Sequence, residues 1–527
     1  MMRNSKDTTV DAGLPENNGW SVSPLDVQLV VLLAGLKLLI RLLTSNAYGY
    51  FRDELYFLDC ARHLSWGYVD DAPLIAVYAK IALVLGGSLP AVRLLPALAG
   101  AGKVALSMTL ARQLGGRRFA QGLTGLCVLA VPVFLGMDSI LCIGAFEPLF
   151  LMGCVYALIE LVRTGSPRWW AWFGVLAGLG LENKYAMLVF GLAALLAILA
   201  TPLRREFRKP WIWLAGFIAL LIFLPALLWQ IRNGYPLLED MANIRRLGKN
   251  VVLGPWAYIH QQIQILNPLL FPIWFAGLCS LLVGRQKRLR VLGWLYLGML
   301  AFMIALKAKD YYLAAIYPML FAAGAVAVED WLARRAWTRD RAWPMVALPL
   351  AIVAVTVVLI PALLPVLPPG RMLSYQQAIG FKSAKLEVHH EGPLDQRLSD
   401  QFGWPEMVAE VTQIYQSLSP EERANTAIYA ANYGEAGAIN HLGPVRGLPQ
   451  AICAHQAHSL WTPPARDYST YICLGCDDGL SRVFGSVQVA AVHHHPWGMA
   501  EENRPIYLCR KPKLSIRGLW PTLKHWN

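Results

Sequence analysis

Residues 46–73 read NAYGYFRDELYFLDCARHLSWGYVDDAP, directly after an apolar run at 27–43. Asp53, Glu54, Asp59, Asp70 and Asp71 all fall in this one stretch, whereas most of the chain up to residue 367 is hydrophobic. Carboxylates beside a membrane span are costly unless they face water or take part in chemistry. The stretch is therefore expected to form the centre of a first external loop, 44–90, with Asp53 and Glu54 at its working point.

The rest of the composition agrees with a membrane setting. Of 527 residues, 56% are hydrophobic and 15% charged, against roughly a quarter charged in soluble proteins. The deficit of charge lies between residues 27 and 367. The expected fold class is an α-helical polytopic membrane protein with a small, more polar C-terminal α/β domain. A net charge of +13 would suit nucleic acid, but the basic residues sit in short clusters between apolar runs. That is the pattern of cytoplasmic loops, so no nucleic-acid partner is expected. Nine cysteines are scattered without a metal-type array.

Residues 1–26 are polar and contain neither an apolar core nor a small-residue cleavage site, so they read as a cytoplasmic tail rather than a signal peptide. About eleven spans are expected, at 27–43, 91–110, 119–135, 146–162, 169–181, 185–203, 211–231, 265–283, 291–306, 311–328 and 344–367. The run at 74–86 is shorter than the ~20 residues of a span and is expected to lie at the interface. Lys37 and Arg41 share one side of the first span and should face protein or snorkel. Arginine-rich loops alternate with acidic ones, which puts the N-terminus in the cytoplasm. An odd number of spans then places 371–527 outside, beyond a transmembrane domain at 27–370. In this tail a helix is expected at 405–417 and strands at 426–433, 470–474, 487–492 and 505–509. Asn432-Tyr433-Gly434 reads most simply as a strand-to-helix turn.

An external carboxylate can remove a proton from an acceptor hydroxyl or amine. If the donor is a sugar on a lipid phosphate, the leaving group is already good and one base suffices. Glycoside hydrolysis, in contrast, needs two carboxylates. The departing phosphate needs cations, and Lys184, Lys307 and Lys309 stand at external ends of spans, placed for charge-assisted hydrogen bonds. Plainer readings exist for each residue. Asp53 and Glu54 would be solvated loop charges, Asp70 and Asp71 a turn before Pro73, and Asp138 a helix cap. Lys184 would neutralise Glu182, and Lys307 and Lys309 would be interfacial anchors. In the tail, Cys473-Leu474-Gly475-Cys476 is a lone CxxC, better read as part of a structural disulfide using Cys453 or Cys509 than as a metal site. His493-His494-His495 reads as a solvated strand end.

YFRDELYFLDCARHLSWGYVDDAPL, at 50–74, resembles the first-loop signature of glycosyltransferase family 39 and its bacterial relatives. These include protein O-mannosyltransferases and lipid A aminoarabinose transferases, all of the GT-C fold. GMDSILCIGAFEPLF, GLGLENKYAML, PALLWQIRNGYP and KAKDYYLAAIYPMLFAAGA resemble the bacterial branch, as do FGWPEM and ANYGEAGAI in the tail. The resemblance implies a polyprenyl- or dolichyl-phosphate sugar donor, inversion at the anomeric carbon, and a bacterial inner-membrane location. It matches Asp53 to the catalytic first-loop aspartate, Glu54 to its neighbour and Asp138 to the acidic residue of the second external loop. Lys184 and the run Lys309-Asp310-Tyr311-Tyr312 match segments near the lipid-phosphate site. Two departures bear on substrate identity: Glu182-Asn183 before Lys184, where relatives usually carry uncharged residues, and Asp71-Ala72-Pro73, where a Pro-Pro pair is common.

The leading expectation is thus a membrane glycosyltransferase using a lipid-phosphate sugar. Its partners would be that donor, an extracytoplasmic acceptor and membrane lipids. No cofactor is called for with certainty, a divalent metal ion being the one candidate. A transporter or flippase of lipid-linked sugars is the alternative, but it would place charges near the bilayer midplane on broken helices. A non-catalytic scaffold fits poorly with Asp53-Glu54 and several external lysines.

Overall fold

The computed structural model describes residues 24–284, 287–334, 343–383, 385, 387–388, 390–477, 479–499 and 502–527. Residues 1–23 of the expected cytoplasmic tail lie outside the described residues, as do Arg285, Arg335, Arg339 and Arg341 of the basic clusters.

Helix α1, Val27–Thr44, opens at Asp26, whose side chain accepts from the Leu29 amide. Its buried residues are Leu33, Lys37 and Arg41, one every fourth position, while Val31, Leu32, Leu39 and Leu43 are exposed. Positions four apart share a helix face, so an apolar face meets lipid and a cationic stripe points inward.

The acidic stretch forms a helix of its own, α2, Arg52–Arg62, followed by the short apolar α3, Leu74–Val84. The bundle continues through α4 (Leu89–Gln113), α5 (Arg118–Ala130), α6 (Pro132–Met137), α7 (Ile143–Thr164), α8 (Arg168–Asn183), α9 (Met187–Leu199) and α10 (Pro210–Arg232). Then come α11 (Pro236–Leu247), α12 (Pro255–Ile265), α13 (Phe271–Val283), α14 (Arg290–Ala305), α15 (Tyr317–Arg334), α16 (Trp343–Leu363) and α17 (Pro369–Ala378). Contacts run from α1 to α4, from α4 to α5 and α7, and on through α7, α8 and α10; α13 pairs with α15 and α9 with α14.

Each of the eleven expected runs is largely helical, but among the described residues only seven helices are long and apolar enough to cross a membrane alone, or nine if each of two bent pairs is one span. Helix breakers account for most of the difference, and α8, at 16 residues, is simply short. Proline lacks an amide hydrogen and clashes with the preceding turn. Pro132 accordingly divides the expected 119–135 span into α5 and α6. Asn267-Pro268 bends α12 against α13 by 97°, and α9 turns by 105° into a 3-10 segment at Pro202.

The tail folds as a five-stranded mixed sheet: β1 (Thr426–Ala430), β2 (Ile452–Cys453), β3 (Thr470–Leu474), β4 (Phe484–Val492) and β5 (Pro505–Pro512). The order is β2-β1-β3-β5-β4, with β1 parallel to β2 and β3, and β5 antiparallel to β3 and β4. The two-residue β2 has no hydrophobic alternation to betray it. Helices α18 (Trp404–Ser417) and α19 (Tyr433–Leu442) cover the sheet. All nine cysteines are free thiols, so the expected disulfide is not formed. His493 instead packs its ring nitrogen 3.0 Å from Glu410.

This small domain sits directly on α2. Leu55 of α2 is fully buried inside the domain's own core, with Val408, Ile428 and Ile439. A Cβ at Gly437 of α19 would lie 2.8 Å from the Leu55 carbonyl, so the close approach of the two helices requires glycine there.

Candidate active site

The tight seating of α2 fixes the orientation of its carboxylates, and they do not share an environment. Asp53, in the first turn, has 35% of its side chain exposed and lines a cavity of about 710 Å³. A helix N-terminus stabilises such a negative charge. Glu54 points the other way and is fully buried. Arg93 Nε and Nη2 donate to its two oxygens, both at 3.1 Å, and the Leu141 and Phe51 amides donate at 2.8 Å each. With four donors on one carboxylate, Glu54 holds the loop rather than facing the cavity. Asp59, on the back of α2, accepts from Arg62, Asn440 and His458 and ties the helix to the outer domain.

Asp138 is also buried. Lys37 lies 2.9 Å from one of its oxygens and Lys103 2.8 Å from the other. A single carboxylate thus joins α1, α4 and the end of α6 behind the cavity wall. Lys307 is exposed and sits outside the cavity in a left-handed backbone conformation, φ 52°. Of the residues singled out from the sequence, the cavity brings together Asp53, Lys184, Lys309, Tyr311 and Tyr312, and leaves Glu54, Asp138 and Lys307 outside its lining.

Lys184 caps α8; its ammonium is 2.8 Å from Glu147 and 3.7 Å from the centre of the Tyr312 ring. The Tyr311 and Tyr312 rings meet edge to face at 5.0 Å. One arm of the cavity is apolar, lined by Pro132, Val133, Leu359, Leu363 and Phe381, with Arg397 beside it. Arg397 donates to the Leu363 carbonyl at 2.9 Å. Among the described residues no group of three His, Cys, Asp or Glu side chains converges as a metal-binding set.

Asp70, Asp71 and Tyr433 also line the cavity, without a role expected from the sequence. Asp70 and Asp71, read as a turn, form a second acidic wall beside Asp53. Burial pushes Asp70 up to about 7, with Asp240 and Asp53 adding to it and the Tyr56 hydrogen bond opposing. Burial also raises Asp71 well above the usual range, with Asp70 and Asp53 adding and Lys184 opposing. Their signal was position: two adjacent aspartates in the loop that already carries Asp53. Tyr433 reaches the cavity from α19 and donates to Asp53 Oδ1 at 2.9 Å. A residue 380 positions away has no local signature.

Fold and cavity together define a polytopic membrane protein of the GT-C fold, with a small sheet domain closing one side of a charged cavity. Two crystal structures of ArnT from Cupriavidus metallidurans share this fold over nearly the whole length. One, bound to undecaprenyl phosphate, matches with a TM-score of 0.59 at 16% identity, covering 92% of this chain and 98% of that one. The other, in the apo state, matches with a TM-score of 0.58 at 17% identity, covering 95% and 99%. Residues 70–229 match the family model of dolichyl-phosphate-mannose-protein mannosyltransferases. No curated protein sequence matches the chain. The resemblance to family 39 is thus present in the sequence of residues 70–229, and the likeness to ArnT is one of fold.

Proposed function

We propose that the protein is an integral membrane glycosyltransferase that moves a sugar from a polyprenyl-phosphate carrier to an extracytoplasmic acceptor, with Asp53 as base. The carrying observation is the Asp53 carboxylate opening into a cavity that also holds Lys184, Lys309, Tyr311, Tyr312 and an apolar arm. The acceptor oxygen or nitrogen attacks the anomeric carbon from the face opposite the phosphate. Its proton passes to Asp53, and the carbon–oxygen bond to phosphate breaks with its electron pair on the phosphate, so the centre inverts. Lys184 and Lys309 face the growing negative charge, which stabilises the transition state more than the ground state. The apolar arm suits a prenyl chain. The likeness to an ArnT structure holding undecaprenyl phosphate supports a carrier of this class. Glu54 and Asp138 are assigned as positioning residues, and Lys307 as an interfacial cation.

In this reading the membrane is a bacterial inner membrane, the N-terminus is cytoplasmic and the sheet domain extracytoplasmic. A transporter would be expected to carry its charged site on broken helices near the midplane, whereas Asp53, Asp70 and Asp71 lie in a loop-borne helix and its following turn.

The test uses membranes matched for protein level, supplied with undecaprenyl-phosphate pentoses and hexoses radiolabelled in the sugar. A positioned base contributes ~10²–10⁴-fold, so Asp53→Asn is expected to lose about that much turnover with near-normal donor saturation. An Asp53→Asn protein of normal rate would remove the mechanism.

A further inference from the structure

The turn before α19 is held by reciprocal hydrogen bonds between Asn432 and Glu435. Asn432 caps the helix, accepting from the Glu435 amide at 3.0 Å, and the Glu435 carboxylate accepts from the Asn432 and Ala431 amides at 3.2 and 2.9 Å. This reciprocal capping box fixes the entry of the helix. Gly434 lets the turn close on α2: a Cβ there would lie 2.5 Å from Arg52 Cγ and 3.0 Å from Trp404.

Tyr433 leaves this turn and is packed on several sides. Its ring centre lies 4.9 Å from that of Tyr56 and 5.1 Å from that of His455, and the Arg52 guanidinium is 5.5 Å from it. The hydroxyl is therefore not free to choose a partner. It donates to Asp53 Oδ1 at 2.9 Å, at the cavity wall. Burial raises the Tyr433 hydroxyl well above its ordinary value, against the pull of Arg52, so it remains a donor throughout the neutral range.

We infer that Tyr433 is a positioning residue for Asp53, and that the C-terminal domain is through it an integral part of the catalytic centre. The inference rests on the reading of Asp53 as base. Asp53 has a side chain 35% exposed, with Arg52 Nε 3.9 Å away. Without a fixed donor such a carboxylate rotates about χ1 and χ2. The Tyr433 hydrogen bond holds one oxygen and leaves Oδ2 to receive the acceptor's proton. Holding the base in reacting geometry acts on turnover rather than on donor capture. The capping box and the Gly434 and Gly437 close approaches then have a common purpose: they carry the rigidity of the sheet domain to one oxygen atom.

The experiment is a double-mutant cycle in membranes, with the same radiolabelled undecaprenyl-phosphate sugars. Tyr433→Phe removes only the hydroxyl. Hydrogen bonds to charged groups are worth enough that a loss of about 10- to 100-fold in turnover at saturating donor is expected, with half-saturating donor concentration unchanged within about twofold. In an Asp53→Asn background the same change should cost nothing further, because residues acting as a unit are non-additive. Asn432→Ala, which loosens the turn without touching Asp53, is expected to lower turnover about fivefold and to add nothing to Tyr433→Phe; it carries the test if Tyr433→Phe does not accumulate. A normal Tyr433→Phe beside a crippled Asp53→Asn overturns the inference alone, as do losses that multiply across the pair. A normal Asp53→Asn overturns the base assignment and the inference with it.

Discussion

Arg93 Nε and Nη2 engage the two oxygens of Glu54 side by side, both at 3.1 Å, in a site where neither side chain is more than 3% exposed. Arg93 also donates to the Ser45 and Gly49 carbonyls at 3.0 and 2.6 Å and to Gln401. One guanidinium thus fastens both ends of the chain that leads from α1 into α2. Adjacent carboxylates on α2 are divided in this way between holding the loop and facing the cavity.

Glu54→Gln should therefore act on stability. Removing one partner of a buried ion pair costs about 3–5 kcal/mol. The thermal midpoint of the purified protein is expected to fall clearly, while turnover per folded molecule stays within about fivefold of normal. A variant with unchanged midpoint and a 100-fold loss of rate would return Glu54 to the reaction.

Asp138→Asn is expected to behave similarly and more severely, since it strands Lys37 and Lys103 together. The predicted readout is a low steady-state level in the membrane and loss of cooperative unfolding, measured beside Lys103→Met. A well-folded, fully inserted Asp138→Asn with specifically lost turnover would contradict a positioning role.

The lysines should separate by place. Lys184→Met and Lys309→Met are expected to lower turnover about 10-fold or more, the order of a lost hydrogen bond to a charged group. Lys307→Met, outside the cavity, should stay within about twofold. Rates measured against donor concentration check this; normal rates for both cavity variants at limiting donor would make them interfacial anchors.

Asp70 and Asp71 predict a pH dependence of stability. Asp70 is raised from its ordinary 3.8 up to about 7, and Asp71 is also raised well above the usual carboxylate range. The folded state then binds protons that the unfolded state has released, so stability falls as pH rises through this window. Asp70→Asn removes that term. Its thermal midpoint should equal the parent's near pH 4 and exceed it at pH 8. A variant less stable than the parent at pH 8 would mean that the charge is favourably held.

The orientation is checked by alkaline phosphatase fused after Pro369 and, separately, after Arg288. The first fusion should be active and the second silent, as the basic clusters require. The reverse result would move the cavity to the cytoplasmic face.

Much of this architecture is written in local pattern. The apolar runs, the helix at 404–417 and the strand at 470–474 follow from periodicity and length alone. Asp53 stood out because charge is rare in its surroundings, and the lysines because they sit at the wrong end of their spans for topology. What could not be read was direction. Asp53 and Glu54 are neighbours in sequence but point to different sides of α2, and distant partners such as Arg93 and the Leu141 amide decide which is which. Tyr433 became a cavity residue through the docking of a domain, a long-range event without a local signature. Pro132 was visible, but its effect on a run that otherwise reads as one span depends on whether neighbours fill the break.

The stripe of Lys37 and Arg41 along α1 has a consequence for biogenesis. Lys37 lies well inside the span, where a charge costs ~2.5–3.5 kcal/mol on insertion scales, and the carboxylate that offsets it, Asp138, emerges from the ribosome about a hundred positions later. The nascent first span is thus expected to stay beside the translocon until α4 and α6 arrive. Chains halted before Asp138 are expected to remain crosslinkable to the insertion machinery and to be degraded quickly in a pulse–chase, and chains halted just beyond α7 to be released.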